Sequence, residues 1–257
     1  MAPGSQWVAC KGCFEDGSCS EIALLRCGQW TLCPTLPDGQ KPNCSMAPHL
    51  SSNSWGYPGG NKFLDDILTE FKSLEIVAVF AIGNEGPECE QTRYPGMLLF
   101  ITSNISSAAT VILSFIYFLC ITGESPLVIG VGATSLDDSV TGFSSPGPTF
   151  YGNTTIKPDL SAPGENVCSA SIQSDNGYIV NSGTSMACPH VAGLTALLLS
   201  KDTSLQIDQL KECMLTGAQR TKSSGGNCEA IPDNMFPNHH AGHGRISAKA
   251  SFEKCFV

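Results

Sequence analysis

The sequence NSGTSMACPHVAG, residues 181–193, joins a turn of small residues to an apolar run at 194–199. The apolar run predicts a buried helix. Proline inside a helix normally costs a hydrogen bond, but the first N–H groups of a helix have no partner within it. We therefore expect the helix to begin near Ser185 and to carry Pro189. The Ser185 hydroxyl then lies at a helix N-terminus, where unpaired N–H groups and the helix dipole favour negative charge.

Ser185 has two interpretations at this stage, a nucleophile or a simple N-cap of the helix. Residues 183–193 closely resemble the nucleophile segment of the subtilisin-like serine peptidases, the subtilase or peptidase S8 family. The resemblance implies that Ser185 is the serine that becomes acylated. It also implies that His190 is a histidine of the helix and not the general base.

Composition and charge narrow the class of protein. The 257 residues suffice for one large domain or two small ones, and 42% of them are hydrophobic. A net charge of −9 argues against nucleic acid or an anionic membrane surface as a partner. Thirteen cysteines indicate an oxidising compartment. Cys10-x-x-Cys13 is also compatible with a zinc site, but no second element completes one, and we favour disulfides.

Apolar runs and amphipathic segments alternate along the chain. Residues 76–82 and 127–133 are unbroken apolar runs, typical of strands that are buried on both faces of a parallel sheet. Further strands are predicted at 6–11 and 49–56, and helical periodicity occurs at 22–33, 63–74 and 207–214. This alternation predicts an α/β domain with a mainly parallel sheet. The resemblance implies, more specifically, the three-layer subtilisin-like fold.

Two further segments resemble substrate-binding parts of the family. Residues 54–56 look like the edge segment that pairs with the substrate backbone and borders the primary specificity pocket. Residues 81–86 look like the strand end that bears the oxyanion-hole asparagine, here Asn84, although a Gly-Asn-Glu-Gly sequence also suits a plain turn. The resemblance thus implies a substrate-binding set of Ser54, Trp55, Gly56, Ala81, Ile82 and Gly83.

The base and the carboxylate of a serine peptidase have no candidates in this sequence. Peptide hydrolysis through a serine needs both, together with donors for the oxyanion, for which Asn84 and the Ser185 N–H are expected. The family carries the base in a His-Gly-Thr-type segment and the carboxylate in an Asp-Ser/Thr-Gly-type segment, and no histidine or aspartate here has that context. Residues 2–11 look like the strand that follows the catalytic-histidine helix. We therefore expect residues 1–257 to form a partial peptidase domain, incomplete at the N-terminus and inactive as a protease.

An atypical apolar insertion is predicted at 97–123. Residues 97–122 contain no charge, so their length permits a membrane span. A single span would place Asn84 and Ser185 on opposite sides of a bilayer, which opposes that interpretation. Removing 97–123 joins Tyr94-Pro95-Gly96 to Glu124-Ser125-Pro126, the continuation that the family usually shows. Our hypothesis is a translated intron; a membrane helix and a buried or loop insertion remain the alternatives.

The expected function is that of a secreted serine endopeptidase that forms an acyl-enzyme on Ser185. Within the family, the chain looks most like cysteine-rich secreted members of the bacillopeptidase F type. No export signal occurs at 1–5, so we expect the secreted protein to be longer. The alternatives are a pseudoenzyme that binds peptides without cutting them, and a membrane-anchored protein. Polypeptide is the expected partner; no cofactor or metal ligand is identified, although calcium is common in the family.

Overall fold

Four parallel strands form the centre of the computed structural model, which describes residues 2–14, 18–56, 63–89, 123, 125–148, 155–222, 226–228 and 230–257. The strands lie in the order β1-β2-β3-β4, and each pairs in parallel with the next. They are β1 (Leu50–Asn53), β2 (Val77–Ala81), β3 (Ile129–Thr134) and β4 (Leu160–Pro163). All residues of β2 and β3 are buried, as the unbroken apolar runs predicted for strands covered on both faces.

Helices cover both faces of the sheet. The helices are α1 (Glu21–Leu32), α2 (Asp65–Ser73), α3 (Thr184–Lys201), α4 (Ile207–Thr216) and α5 (Ala248–Phe256). On one face, α2 packs against Phe80 and its neighbours, and α1 packs on α2. On the other face, α3 crosses all four strands and forms the larger core with α4. The described residues therefore form the predicted three-layer α/β fold with a parallel sheet.

Two antiparallel hairpins lie outside the central sheet. The first pairs β5 (Val167–Ala170) with β6 (Tyr178–Asn181), and nearly all of its residues are exposed. It leads directly into α3, so the chain enters the helix from the solvent side. The second pairs β7 (Asn227–Cys228) with β8 (Ile231–Pro232). A short 3₁₀ helix, Cys44–Met46, precedes β1.

The strand predicted at 6–11 does not form. These residues have no strand assignment, and the side chain of Trp7 is 84% exposed. Among the described residues, no strand pairs with this segment, and a strand forms only where the backbone groups of a neighbouring strand accept and donate its hydrogen bonds. The prediction was wrong because it used local composition alone, whereas a strand depends on its neighbours.

Disulfides join most of the cysteines of the described residues. The pairs are Cys10–Cys27, Cys13–Cys19, Cys33–Cys44, Cys89–Cys228 and Cys213–Cys255. The first three lie in the N-terminal part, where disulfides were favoured over zinc, and that prediction is confirmed. Cys168 and Cys188 remain as thiols.

The predicted insertion at 97–123 lies outside the described residues except for Gly123. The hypothesis of a translated intron therefore stays a prediction. Within the part of the chain that the structure describes, no helix combines the length and the apolar character that crossing a bilayer requires.

A buried cluster of charges lies where strands β3 and β4 begin. The Asp159 carboxylate pairs with Lys157, whose side chain is fully buried, and with Lys211 at 2.7 Å. Its Oδ2 also accepts a hydrogen bond from the Gly130 N–H at 2.7 Å, and the Lys157 Nζ donates to the Val128 carbonyl at 2.8 Å. Burial by itself raises the pKa of Asp159, but the two ammonium groups together outweigh burial and hold that pKa below its ordinary value.

The variant Asp159→Asn tests this cluster. Because it leaves the buried Lys157 ammonium without its carboxylate, we expect the free energy of unfolding at pH 7 to fall by about 3–5 kcal/mol. The folded-state pKa of Asp159 is depressed, so its contribution is present above the unfolded pKa of about 3.9 and is lost as the pH falls through the folded value. The difference between the wild-type protein and the variant should therefore shrink below about pH 4. Urea unfolding between pH 7 and pH 3 measures it.

Asp137→Asn is the matched control. Asp137 pairs with Lys222 at 2.9 Å, but both side chains are more than half exposed. Water already screens such a pair, so its loss should change the free energy of unfolding much less. An equal fall in the free energy of unfolding in the two variants would contradict the stabilising role assigned to the buried ion pairs of Asp159.

Candidate active site

Ser185 lies in the first turn of α3, directly after hairpin β5–β6. The N-cap of the helix is Gly183, which makes no side-chain capping bond, so the interpretation of Ser185 as the cap is wrong. Ser185 is half-buried, and its hydroxyl donates a hydrogen bond to the Ser54 carbonyl at 3.2 Å. The hydroxyl therefore lies at the surface of the helix N-terminus, next to the chain that leaves β1.

Pro189 explains why Ser185 and Ser54 are linked. The helix begins at Thr184, one residue before the expected start. Pro189 is therefore the sixth residue of the helix and lies beyond its first turn. In a regular helix the N–H of residue 189 donates to the carbonyl of residue 185, and proline has no N–H to give. The Ser54 hydroxyl donates to that Ser185 carbonyl instead, at 2.7 Å. Ser54 and Ser185 thus exchange two hydrogen bonds, one in each direction.

Asn84 follows β2 and meets the start of α3 through Thr184. The Asn84 Oδ1 accepts the Thr184 N–H at 2.8 Å and the Thr184 hydroxyl at 3.0 Å. The same hydroxyl lies 3.2 Å from the Gly83 carbonyl and 3.3 Å from the Gly83 nitrogen. Because the oxygen of the side-chain amide is engaged by Thr184, the Nδ2 donors form the end of Asn84 that is left for a ligand.

Two donors border the space in front of Gly183. A methyl group at residue 183 would lie 3.6 Å from both Asn84 Nδ2 and Asn84 Oδ1, and 3.7 Å from the Ser185 nitrogen. In the first turn of a helix the Ser185 N–H has no partner within the helix. The position next to the Gly183 Cα therefore has the Asn84 amide and the Ser185 N–H as its neighbours.

No imidazole contacts the Ser185 hydroxyl in the described part of the chain, which includes all five histidines. His190 lies on the same helix, but its Nδ1 is 2.8 Å from the Met186 carbonyl, so its N–H donates to its own helix. His239 is fully buried, and His240 is 8% exposed. The serine thus has N–H donors beside it but no base among these histidines.

The Cys188 thiol is a second potential nucleophile near Ser185 and lies about one turn further along the helix. Its thiol donates toward the Asn53 carbonyl at 3.5 Å and the Val79 carbonyl at 3.6 Å. Burial raises the pKa of this thiol to about 11, so it stays protonated at neutral pH. Cys188 is therefore part of the packing beneath the site and does not compete with Ser185 as a nucleophile.

Glu85 was not singled out by the sequence, although it adjoins Asn84. Its N–H donates to the Ser145 hydroxyl at 2.9 Å, and that hydroxyl donates back to its carboxylate at 2.8 Å. Burial raises the pKa of Glu85, against the opposing effect of the Ser145 hydrogen bond. This contact fixes the loop just after Asn84. Like the contacts of Thr184, it joins residues far apart in the chain, and no local sequence pattern signals it.

The predicted substrate-binding residues separate into an accessible set and a buried set. Ser54 is exposed, and Trp55 and Gly56 are half-buried. The Trp55 ring packs edge-on against Phe80, with 5.2 Å between the centroids. Ala81, Ile82 and Gly83 are buried beneath the site. A role of these three buried residues in binding substrate stays a prediction.

One group of the described residues has the donor atoms of a metal site. Sulfur atoms of Cys89 and Cys228 and an imidazole nitrogen of His240 all lie within 4.8 Å of one another. The two cysteines form a disulfide, however, and a thiolate is the form that ligates a metal. This group therefore requires reduction before it can bind an ion.

Sequence comparisons relate this chain to known proteins. The sequence profile of peptidase S8, the subtilase family, matches residues 1–244. Bacillopeptidase F of Bacillus subtilis is 31% identical over 96% of this chain, and the serine protease AprX of the same organism is 29% identical over 88%. The chain spans 15% of the first relative and 49% of the second.

A solved structure shows the same fold. The prenylagaramide maturation protease PagA superposes with a TM-score of 0.64, covering 95% of this chain and 72% of that one. Its sequence identity is 20%, so the likeness concerns the fold.

A double-mutant cycle tests the link between Pro189 and Ser54. In the wild-type protein, Ser54→Ala leaves the Ser185 carbonyl unpaired and should lower the free energy of unfolding by about 0.5–1 kcal/mol. In a Pro189→Ala background, the new N–H takes over that carbonyl, and Ser54→Ala should cost close to nothing. Urea unfolding of the four proteins gives the coupling energy. An equal cost of Ser54→Ala in both backgrounds would show that Pro189 does not create the acceptor.

Proposed function

The chain belongs to the subtilase family, and on that premise we propose that it forms the nucleophile-bearing part of a serine endopeptidase. Ser185 is the nucleophile of this proposal, and Asn84 with the Ser185 N–H is the oxyanion hole. Both relatives described above carry protease names, but each is longer than the region that this chain matches. The activity of the whole protein is therefore inferred from the site.

The arrangement of Asn84 and Gly183 is the observation that carries this proposal. Peptide hydrolysis places a negative oxygen on the tetrahedral intermediate, and donors that are already in position stabilise it in the transition state. The Asn84 amide and the Ser185 N–H both lie next to Gly183, and Thr184 occupies the amide oxygen, which leaves the Nδ2 donors for a ligand. A plain turn asparagine does not need this orientation.

Each residue has a separate task in the proposed reaction. The Ser185 hydroxyl attacks the substrate carbonyl carbon, and the carbonyl oxygen enters the space before Gly183. A base must take the hydroxyl proton, because a serine hydroxyl is a weak nucleophile at its own pKa. The Ser54 carbonyl, which now accepts that hydroxyl, is not basic enough for this task. We infer that residues 1–257 alone are inactive and that an imidazole from outside the described residues must reach Ser185.

The N–H groups of a bound peptide would compete for the Ser54 carbonyl. The resemblance gives residues 54–56 the role of pairing with the substrate backbone, and Ser185 presently donates to the first of them. Peptide binding at this edge would therefore displace the hydroxyl from Ser54 and release it toward a base.

A second candidate function rests on the same segment, residues 54–56. Without an imidazole at Ser185, the exposed edge at 54–56 can still bind an extended peptide through backbone hydrogen bonds. The protein is then a pseudoenzyme that binds and does not cut. The two candidates differ in whether Ser185 can be made reactive by supplying the missing groups.

An extracellular location is part of the proposal. Five disulfides in the described residues form and persist in oxidising compartments, and they are rare in reducing ones. Polypeptide is the proposed substrate class. We propose no bound cofactor for the reaction, because Ser185, Asn84 and a base supply its chemistry.

Labelling with a fluorophosphonate probe separates the two candidates. We expect no labelling of residues 1–257, since the hydroxyl lacks a base. A fusion that places the aspartate and histidine segments of bacillopeptidase F before Ala2 should be labelled, and Ser185→Ala should abolish labelling. In the fusion, Asn84→Leu should slow labelling by about 10²–10³-fold, the range known for the loss of one oxyanion donor in a subtilisin. Peptide mass spectrometry locates the label.

Circular dichroism of each protein controls for folding. A folded fusion that stays unlabelled would contradict the assignment of Ser185 as an activatable nucleophile and favour the pseudoenzyme. Labelling of Ser185 in residues 1–257 alone would contradict the inferred absence of a base.

A further inference from the structure

The disulfide Cys89–Cys228 connects the loop that begins with Asn84 to hairpin β7–β8. After Asn84, the loop is held at Gly86, whose N–H donates to the Phe143 carbonyl at 3.0 Å. The next anchor along the described chain is Cys89, through its bond to Cys228. This disulfide therefore determines where the end of the oxyanion loop is fixed.

His240 contacts one sulfur atom of this bond. Its Nε2 lies 3.2 Å from Cys228 Sγ, and both residues are buried. A disulfide sulfur carries no proton, so the contact is a hydrogen bond only when the imidazole N–H donates. A neutral disulfide sulfur is a weak acceptor, whereas a thiolate is a strong one. The imidazole is thus placed to stabilise Cys228 in the form that appears when the bond opens.

The two sulfur atoms differ in accessibility. Cys228 is fully buried, and Cys89 is half-buried between the exposed Glu88 and the end of the described loop. An attacking thiolate approaches in line with the bond and expels the far sulfur as the leaving group. Attack from solvent therefore falls on Cys89, and Cys228 departs beside the His240 N–H.

We propose that Cys89–Cys228 is a thiol–disulfide exchange site for an external dithiol, with His240 stabilising the leaving thiolate. The first thiolate of the dithiol forms a mixed disulfide with Cys89, and Cys228 leaves with the electron pair of the broken bond. The second thiol of the reagent, after losing its proton, attacks its own sulfur in the mixed disulfide and releases the Cys89 thiolate. The dithiol ends as a cyclic disulfide, and its two protons end on the two protein thiolates or in solvent.

Cys89 also has a hydrogen-bond partner once the disulfide is reduced. Its sulfur lies 3.2 Å from the Asn227 carbonyl, which can accept a hydrogen bond from the Cys89 thiol once the bond is open. After reduction, the Cys228 thiolate therefore has a hydrogen-bond donor in His240, and the Cys89 thiol has an acceptor in the Asn227 carbonyl. Opening the bond releases the far end of the loop that carries the oxyanion donor, and this inference does not require Ser185 to be reactive.

Site-resolved reduction of the folded protein tests the proposal. The protein is treated with limiting dithiothreitol, quenched with iodoacetamide at intervals, and mapped by peptide mass spectrometry. Cys213–Cys255, which joins α4 to α5, serves as the internal reference in every sample. The measured quantity is the ratio of the opening rate of Cys89–Cys228 to that of the reference.

The matched variants are His240→Leu, which has no side-chain donor, and His240→Gln, which keeps an N–H donor. Because a better-stabilised leaving thiolate departs faster, we expect the ratio to fall about tenfold in His240→Leu and by much less in His240→Gln. General destabilisation speeds the opening of both bonds and therefore does not by itself lower this ratio. A ratio in His240→Leu that is unchanged or raised, or an equal fall in both variants, would overturn the proposal.

Discussion

The missing N–H of Pro189 is the constraint on which the arrangement of this site depends. It leaves the Ser185 carbonyl without its helical partner, and the Ser54 hydroxyl supplies the hydrogen bond from outside the helix. The Ser185 hydroxyl returns a bond to the Ser54 carbonyl. A regular helix would satisfy this carbonyl internally and would have no need of the chain that leaves β1. Because Pro189 cannot donate to the Ser185 carbonyl, that carbonyl bonds to Ser54 and so links the helix to the chain that leaves the sheet.

A second connection runs from β2 to the preceding residue of the same helix. Thr184 engages Gly83 and the Asn84 amide oxygen, so the end of β2 and the start of α3 are held at hydrogen-bond distance. Strands β1 and β2 are neighbours and parallel, so their carboxyl ends meet at one edge of the sheet. Ligands of parallel α/β sheets generally bind at this edge. Two adjacent strand ends and one helix N-terminus therefore build the site.

The sequence was sufficient for the parts of the fold that depend on local pattern. The unbroken apolar runs became β2 and β3, and the helix carrying Pro189 began within one residue of the expected position. The predicted strand at 6–11 failed because pairing, unlike apolar content, is not local. For the site, the resemblance selected Ser185 and Asn84, whereas Thr184, Glu85 and Ser145 were missed. Their contacts join residues 60 to 101 positions apart, and such contacts cannot be derived from one segment.

In the proposed reaction, stabilisation of the oxyanion and activation of the nucleophile have separate structural origins. The donors before Gly183 are positioned by Thr184, by the helix N-terminus and by the sheet edge, and no histidine takes part in these described contacts. The positions of these donors therefore do not depend on the presence of a base. Bringing an imidazole to Ser185 must break only the hydroxyl's bond to Ser54, while the bond from the Ser54 hydroxyl to the Ser185 carbonyl can remain. The helix thus stays attached to the sheet while its serine changes partner.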